Sequence, residues 1–211
     1  QYLAAAGIGT IGVIDDDIVE NANLQRQIIH LDRNIGMPKV HSAAEAMTAQ
    51  NPFVMTRPYH RRLTEDIASE LFEDYDLLLD GTDNFETRYL VNRIAVVQEK
   101  PLIAAALTQW EGQISLYDPV HGTPCYACVF PDAPDPALVP SCAEAGVIGP
   151  LPGVVGAMMA VEALKAITGA GAGLGGKLLI YDALYAQTRT ISIKPRADCA
   201  ACGGKGLHVG G

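Results

Sequence analysis

With 211 residues, 49% of them hydrophobic and 18% charged, the chain is long and apolar enough to bury a full core, and its length fits one domain better than two. Its 24 acidic side chains against 15 basic ones give a net charge of −9 with no Lys/Arg run, which excludes a nucleic-acid backbone as the expected partner. The longest apolar stretch, 151–167, contains Glu162 and Lys165 and is short for a bilayer, so a buried or interface helix is expected and no membrane partner. No signal peptide is visible, and free thiols suit a reducing compartment, so a cytoplasmic location is expected; the chain opens on Gln1 rather than Met, which leaves targeting open.

In chain order, short β-rich runs alternate with longer helical patterns, the pattern of βαβ units and a mainly parallel, Rossmann-like sheet. Strands are predicted at 10–14, 54–59, 77–79 and 102–105, with helices between them. The helix over 39–50 follows Pro38, which suits a first-turn position, and Asn51-Pro52 stops it. From 113 onward the texture changes. Strands at 113–117, 177–181 and 188–193, the last two with no intervening helix, predict an antiparallel continuation of the sheet. The expected organisation is thus one domain, with a nucleotide-binding part over 1–112 and, over 113–211, the antiparallel extension, a crossing loop and a metal site. Prolines at 131, 134, 136 and 140 predict an irregular, mobile crossing loop that carries Cys142. A helix over 153–168, rich in Gly, Ala and Met, can pack closely either in the core or at a homodimer seam. Gly169 to Gly176 reads as a glycine-rich surface turn without phosphate-binding context.

Gly7, Gly9 and Gly12 satisfy GxGxxG literally, but they follow a helix and lead into a strand, the reverse of the dinucleotide-binding order. In the true arrangement an acidic residue about 20 positions after the glycines ends the second strand and accepts from ribose hydroxyls. Asp15 ends such a strand; the competing reading of Asp15 to Asp17 is an acidic turn. Counting back from Asp15 sets the real glycine loop ahead of residue 1, so the first βα unit is expected to be missing.

Polar detail outside helical or strand periodicity fills 14–40 and 76–88. In an open α/β sheet, ligands bind beyond the carboxyl ends of strands, where Asp15 and the Thr82-Asp83-Asn84 turn fall, so both are expected to face one nucleotide. Arg26 and Lys39 supply positive charge suited to polyphosphate oxygens. Asp83 suits magnesium, a hard cation that prefers carboxylate and phosphate oxygens. Each of these side chains alone would be read as a surface ion pair; together they point to a ligand.

Four of the five cysteines form two CxxC pairs, Cys125 with Cys128 and Cys199 with Cys202, the spacing of a four-cysteine structural zinc site. Redox dithiols or disulfides are the alternatives, but neither pair is expected at a helix start after a strand, where a thioredoxin-type motif belongs. The five histidines show no metal or triad spacing, so none is expected to act as a base.

Asp15-x-Asp17, Asn23-Leu24-Gln25-Arg26-Gln27, Gly36-Met37-Pro38-Lys39-Val40, Asp80-Gly81-Thr82-Asp83-Asn84, the two CxxC pairs and Ser141-Cys142-Ala143-Glu144-Ala145-Gly146 occur together in one chain. That set resembles the ubiquitin-activating-enzyme superfamily, in its bacterial branch of sulfur-carrier-protein adenylyltransferases of the molybdopterin-synthase and thiamine-biosynthesis type. The resemblance implies ATP, Mg2+ and Zn2+, a homodimer, and as partner a small ubiquitin-like sulfur-carrier protein ending in Gly-Gly. It implies that Asp15 holds the ribose, that Asn23, Arg26, Gln27 and Lys39 hold the phosphates, and that Asp83 holds magnesium. Leu24, Gln25, Thr82 and Asn84 complete the nucleotide-binding turns. Arg26, Lys39, Asp83 and Cys142 form the implied catalytic set, although matching cysteines in some relatives are dispensable for adenylation. Two departures stand out. Ala22 replaces the usual Ser, and the N-terminal glycine loop and arginine are absent, so a chain this short is expected to bind ATP weakly or not at all. The rival readings are a catalytically silent scaffold of the same superfamily, a transfer-RNA cyclic-threonylcarbamoyl dehydratase, and an NAD-binding protein suggested only by fold and Asp15.

Overall fold

In the computed structural model the described residues are 1–133 and 146–204, and they divide into two compact units, Gln1–Leu63 and Thr64–Gly211. The first unit opens with a four-residue helix α1 (Tyr2–Ala5), followed by β1 (Thr10–Ile14), helix α2 (Lys39–Gln50) and β2 (Met55–Tyr59). β1 and β2 pair in parallel, Thr10 against Met55 through Ile14 against Tyr59. The crossover between them is α2, as a parallel pair requires. Ala4 of α1 and Ala43 and Met47 of α2 are buried together, with Ile11, Val13 and Ile29 packed against them. The glycines of the literal GxGxxG do lie between a helix and a strand in that order, with Gly12 inside β1. Pro38 is the N-cap of α2, one position ahead of the first turn.

The second unit contains α3 (Glu65–Glu73), β3 (Leu78–Asp80), α4 (Phe85–Val97), β4 (Leu102–Thr108), β5 (Glu111–Tyr117), a four-residue helix α5 (Tyr126–Val129), α6 (Pro150–Thr168), β6 (Lys177–Asp182) and β7 (Gln187–Ser192). The strands form one sheet in the order β3-β4-β5-β6-β7. β3 and β4 are parallel across α4, and every later neighbour is antiparallel. β4 reads LIAAALT and its first four residues are buried, as expected of a strand covered on both faces. α6 packs on β4 and β5 with Leu151, Val155, Met159 and Ala163 turned inward.

Parallel pairing continued by antiparallel strands is found as expected, but the antiparallel part is the larger. Two of the described strand pairings are parallel and three are antiparallel. The cause is local. β4 and β5 are joined by only Gln109 and Trp110, and β6 and β7 by residues 183–186, loops too short for a crossover helix. Gln109 and Ala186 take the positive φ values, 42° and 52°, that let these chains reverse.

α6 has the length and composition of a membrane span, the one such helix among the described residues. One of its faces is nevertheless buried on the sheet, and the buried Glu162 pairs with Lys165. The second oxygen of Glu162 accepts the Leu174 N–H at 2.8 Å, so this carboxylate pins the glycine-rich turn between α6 and β6. Gly169 ends α6 in the left-handed region, φ 68°, the usual use of glycine at a helix C-terminus.

Candidate functional site

In the first unit the carboxyl end of β1 runs into Asp15-Asp16-Asp17. The Asp17 N–H donates to Asp15 Oδ1 at 2.8 Å, so Asp15 folds the acidic turn on itself. Lys39, at the start of α2, donates from Nζ to Asp17 Oδ2 at 2.7 Å, and its N–H donates to the Asp17 carbonyl at 2.9 Å. The lysine side chain is largely covered while that of Asp17 is exposed, so the ammonium is held in place without being sealed off. The structure thus brings Lys39 to the acidic turn that contains Asp15. The three carboxylates also lie close enough to share a cation.

The Asn23–Gln27 segment is a pair of tight turns. Asn23 is buried, and its Oδ1 accepts the Glu20 N–H at 3.0 Å, while its carbonyl receives the N–H groups of Arg26 and Gln27. This side chain therefore shapes the turn that carries Arg26 and Gln27. The Arg26 guanidinium donates to the Ala22 carbonyl at 3.0 Å, Gln25 is exposed, and Leu24 is half-buried. Gln27 Oε1 is buried without a hydrogen-bond partner. Such an orphaned acceptor costs free energy unless a donor arrives from elsewhere.

A residue given no role by the sequence closes this arrangement. His30 is only 7% exposed, and its Nδ1 lies 2.9 Å from Ser42 Oγ on α2. Burial pushes its pKa down, the charge of Lys39 pushes the same way, and Asp15 opposes them. His30 is thereby kept neutral more readily than a free imidazole, and it fastens the Arg26 turn to the helix that carries Lys39.

In the second unit the carboxyl end of β3 leads into Gly81-Thr82-Asp83-Asn84. The buried Asp80 accepts both the Thr82 N–H, at 2.8 Å, and the Thr82 hydroxyl, at 2.7 Å. Buried Arg88 donates to the Thr82 carbonyl, and Asn84 caps α4 by accepting the Thr87 N–H at 2.8 Å. The turn is therefore fixed from three sides, with Asp83 exposed at its tip. The sequence motif named Asp80 but gave it no role, and Arg88 went unread. A charged residue four positions after a helix cap, followed four later by Asn92 on the same face, was the available signal.

The two CxxC pairs converge. Cys125, Cys128, Cys199 and Cys202 are at most 5% exposed, and their four sulfurs all lie within 4.8 Å of one another. The separations are 3.8 Å for 125 to 128, 3.6 Å for 125 to 199 and 3.5 Å for 128 to 202. A disulfide needs about 2.05 Å. A tetrahedron with metal–sulfur bonds of about 2.3 Å has edges of about 3.8 Å, which these distances approach. The donor set fits a tetrahedral metal. Burial, then the neighbouring sulfurs, pushes the Cys125 thiol up; burial raises Cys128 to about 11. For Cys199 burial is opposed by the Cys202 and Ala201 N–H groups, which leave it below the usual thiol range. Cys125 stands at a helix start, as N-cap of α5. That helix follows a 3-10 turn at Pro119–His121, so the setting still differs from a strand-to-helix redox motif. Cys142 and most of the proline-rich segment fall outside the described residues.

Residues 1–201 match the ThiF family. The chain belongs to the ThiF family. This ThiF-family chain is 47% identical over 207 residues to a sulfur carrier protein adenylyltransferase of Thermus thermophilus, covering 96% of the chain and 76% of that protein. Over 207 residues it is 42% identical to the SAMP-activating enzyme E1 of Haloferax volcanii, covering 98% and 76%. To a probable adenylyltransferase/sulfurtransferase MoeZ of Mycobacterium tuberculosis it is 47% identical over 196 residues, covering 92% of this chain but only 50% of that one. The crystal structure of E. coli MccB with MccA-N7isoASN superposes with a TM-score of 0.80 at 20% identity, over 95% of this chain and 61% of that chain. At that identity the likeness concerns the fold.

Proposed function

We propose that this ThiF-family chain catalyses ATP-dependent adenylylation of the C-terminal Gly-Gly carboxylate of a small ubiquitin-like sulfur-carrier protein, serving molybdopterin or thiamine biosynthesis. The observation that carries the reading is the 47% identity, across 96% of the chain, to a relative named for that activity. The carboxylate oxygen of the carrier attacks the α-phosphorus of ATP, the bond from that phosphorus to the bridging oxygen breaks, and pyrophosphate leaves. A terminal carboxylate, with an ordinary pKa of about 3.5, is already ionised at neutral pH, so no general base is needed. The absence of triad spacing among the histidines agrees with this. The work left to the protein is to align two anions and neutralise charge as it develops.

Asp15 binds the ribose. Arg26, Lys39 and Gln27, the last through its amide N–H2, bind phosphate oxygens, with Asn23 shaping their turn. Asp83 holds magnesium, which draws charge from the phosphate oxygens when bound. The Lys39–Asp17 pair is weak at an exposed carboxylate, so the ammonium can exchange that partner for a phosphate. The four cysteines hold zinc in a structural role, since all four positions are protein sulfurs and none is open. Cys142 serves a later sulfur-transfer step. Residues 1–211 act as one adenylyltransferase domain in a cytoplasmic homodimer; the homodimer is supported by Val154 and Val161, exposed on one face of α6.

In the full-length protein, Arg26→Ala is expected to lower carrier-dependent ATP–pyrophosphate exchange about 10²–10³-fold, the loss typical of a missing electrostatic stabiliser. A carrier protein truncated by its last Gly should give no exchange with either form. Exchange unchanged in Arg26→Ala, or undiminished with the truncated carrier, overturns the reading.

A further inference from the structure

Asn84, Arg88, Asn92 and Val96 recur every four residues along α4 and so share one face of the helix. At one end of that face Asn84 and Arg88 hold the turn that presents Asp83. At the other end Val96 packs against the four cysteines. Asn92 lies between, 1% exposed, with both halves of its carboxamide engaged. Its Oδ1 accepts the Tyr126 N–H at 2.8 Å, and its Nδ2 points at Cys125 Sγ, 3.9 Å away. An apolar residue would fill this space at no desolvation cost, so a carboxamide here implies that donor and acceptor are both used. The Arg196 N–H, 3.4 Å from Cys128 Sγ, gives the opposite side of the cluster a comparable donor.

We propose that Asn92 is a positioning residue of the four-cysteine centre: it aims the Cys125 sulfur at the metal and, through α4, makes metal occupancy hold the Thr82–Asn84 turn in place. An N–H directed at a thiolate stabilises its charge and restricts its orientation, the usual task of groups just outside a metal's own ligands. α4 is a single unbroken helix from Phe85 to Val97, so a displacement at Asn92 is passed to Arg88 and Asn84 rather than absorbed. The importance of the turn rests on reading Asp83 as the magnesium ligand; the metal half of the inference does not.

The discriminating variant is Asn92→Asp. It keeps an acceptor for Tyr126 N–H and removes the donor to sulfur; because it also buries a carboxylate, the same measurements are made on Asn92→Leu, which removes the donor without adding charge. In the full chain, release of zinc to a chromophoric chelator should become about 10–100-fold easier, and the thiolate-to-cobalt bands of the cobalt-loaded protein should shift. Wild-type release with unshifted bands overturns the proposal. The second measurement needs no variant. Stripping the metal from the wild-type chain should speed hydrogen exchange of the Thr82 and Thr87 amides about tenfold, while the Ala183 amide, bonded to the Trp110 carbonyl at 2.8 Å, keeps its protection. If Thr82 and Thr87 stay protected, or Ala183 loses protection in step with them, coupling through α4 is overturned. Neither measurement uses ATP or a carrier protein, so failure of the adenylylation reading cannot mimic failure here.

Discussion

His30 is placed where a small change of charge has a large effect on the first unit. It is buried against Ser42, with the Lys39 ammonium among the charges that reach it and Asp15 too weak to compensate. Its folded pKa therefore lies below the unfolded value of about 6.5. The unfolded chain then binds more protons between the two values, so stability is fully present above about pH 6.5 and falls as pH drops toward the folded pKa. His30→Gln removes that titration. The stability difference between wild type and His30→Gln, measured by urea denaturation from pH 7.5 to 5, should shrink on acidification; a difference constant with pH would refute the assignment. Arg26, Lys39 and Asp83 drew their proposed roles from the sequence because each stands in a dense run of polar residues that no helix or strand period explains. His30 was not, because its partner is twelve residues away on another element and its role is neither metal binding nor base catalysis.

At the level of elements, β5 and α6 meet at a position where only glycine fits. A methyl group on Gly112 would run into Val155 Cγ2 and approach Leu107 Cδ2 to 3.2 Å, and Val155 is itself buried. Gly112→Ala should therefore cost about 1–3 kcal/mol of stability through overpacking. Val155→Ala alone should also destabilise, by opening a cavity, whereas the double variant should recover part of both losses, because each change makes room for the other. Denaturant midpoints of the four proteins give the coupling directly; additive losses would mean that the two residues do not press on each other. The strands themselves were readable from β-branched and apolar runs, with ends displaced by a residue or a few. The antiparallel direction from 113 onward was readable too, but the turn chemistry was not. The β4–β5 hairpin turns at Gln109-Trp110 and the β6–β7 hairpin at Ala183 to Ala186, neither with the Asn-Gly or Asp-Gly signal that marks a tight reversal. The second is instead shaped by Asp182, whose Oδ1 accepts the Leu184 and Tyr185 N–H groups, a device that a lone Asp in a sequence does not announce.

For the molecule as a whole, the four-cysteine centre joins residues 125–128 to residues 199–202 across more than seventy positions of chain. The spacing of the pairs alone sufficed to foresee that junction, since two sulfurs from each hairpin complete one tetrahedron. Within the second unit the cysteines pack with Val96 of α4, at the end of the helix opposite Asp83, so the junction is part of that unit's core. A zinc ion held there would contribute folding energy: small zinc sites gain about 10–16 kcal/mol, and closing a long loop adds an entropic constraint on the unfolded chain. Losing any one ligand should break the tetrahedron as a unit. Cys125→Ser and Cys199→Ser are each expected to reduce bound zinc well below one equivalent and to lower the melting temperature by similar amounts, with the double variant little worse than either single one. Chelation of the wild-type protein should bring its melting temperature down to that of the variants, and added zinc should restore wild type alone, in a concentration-dependent way. Losses that add in the double variant would mean four independent packing contributions from buried thiols rather than one shared ion.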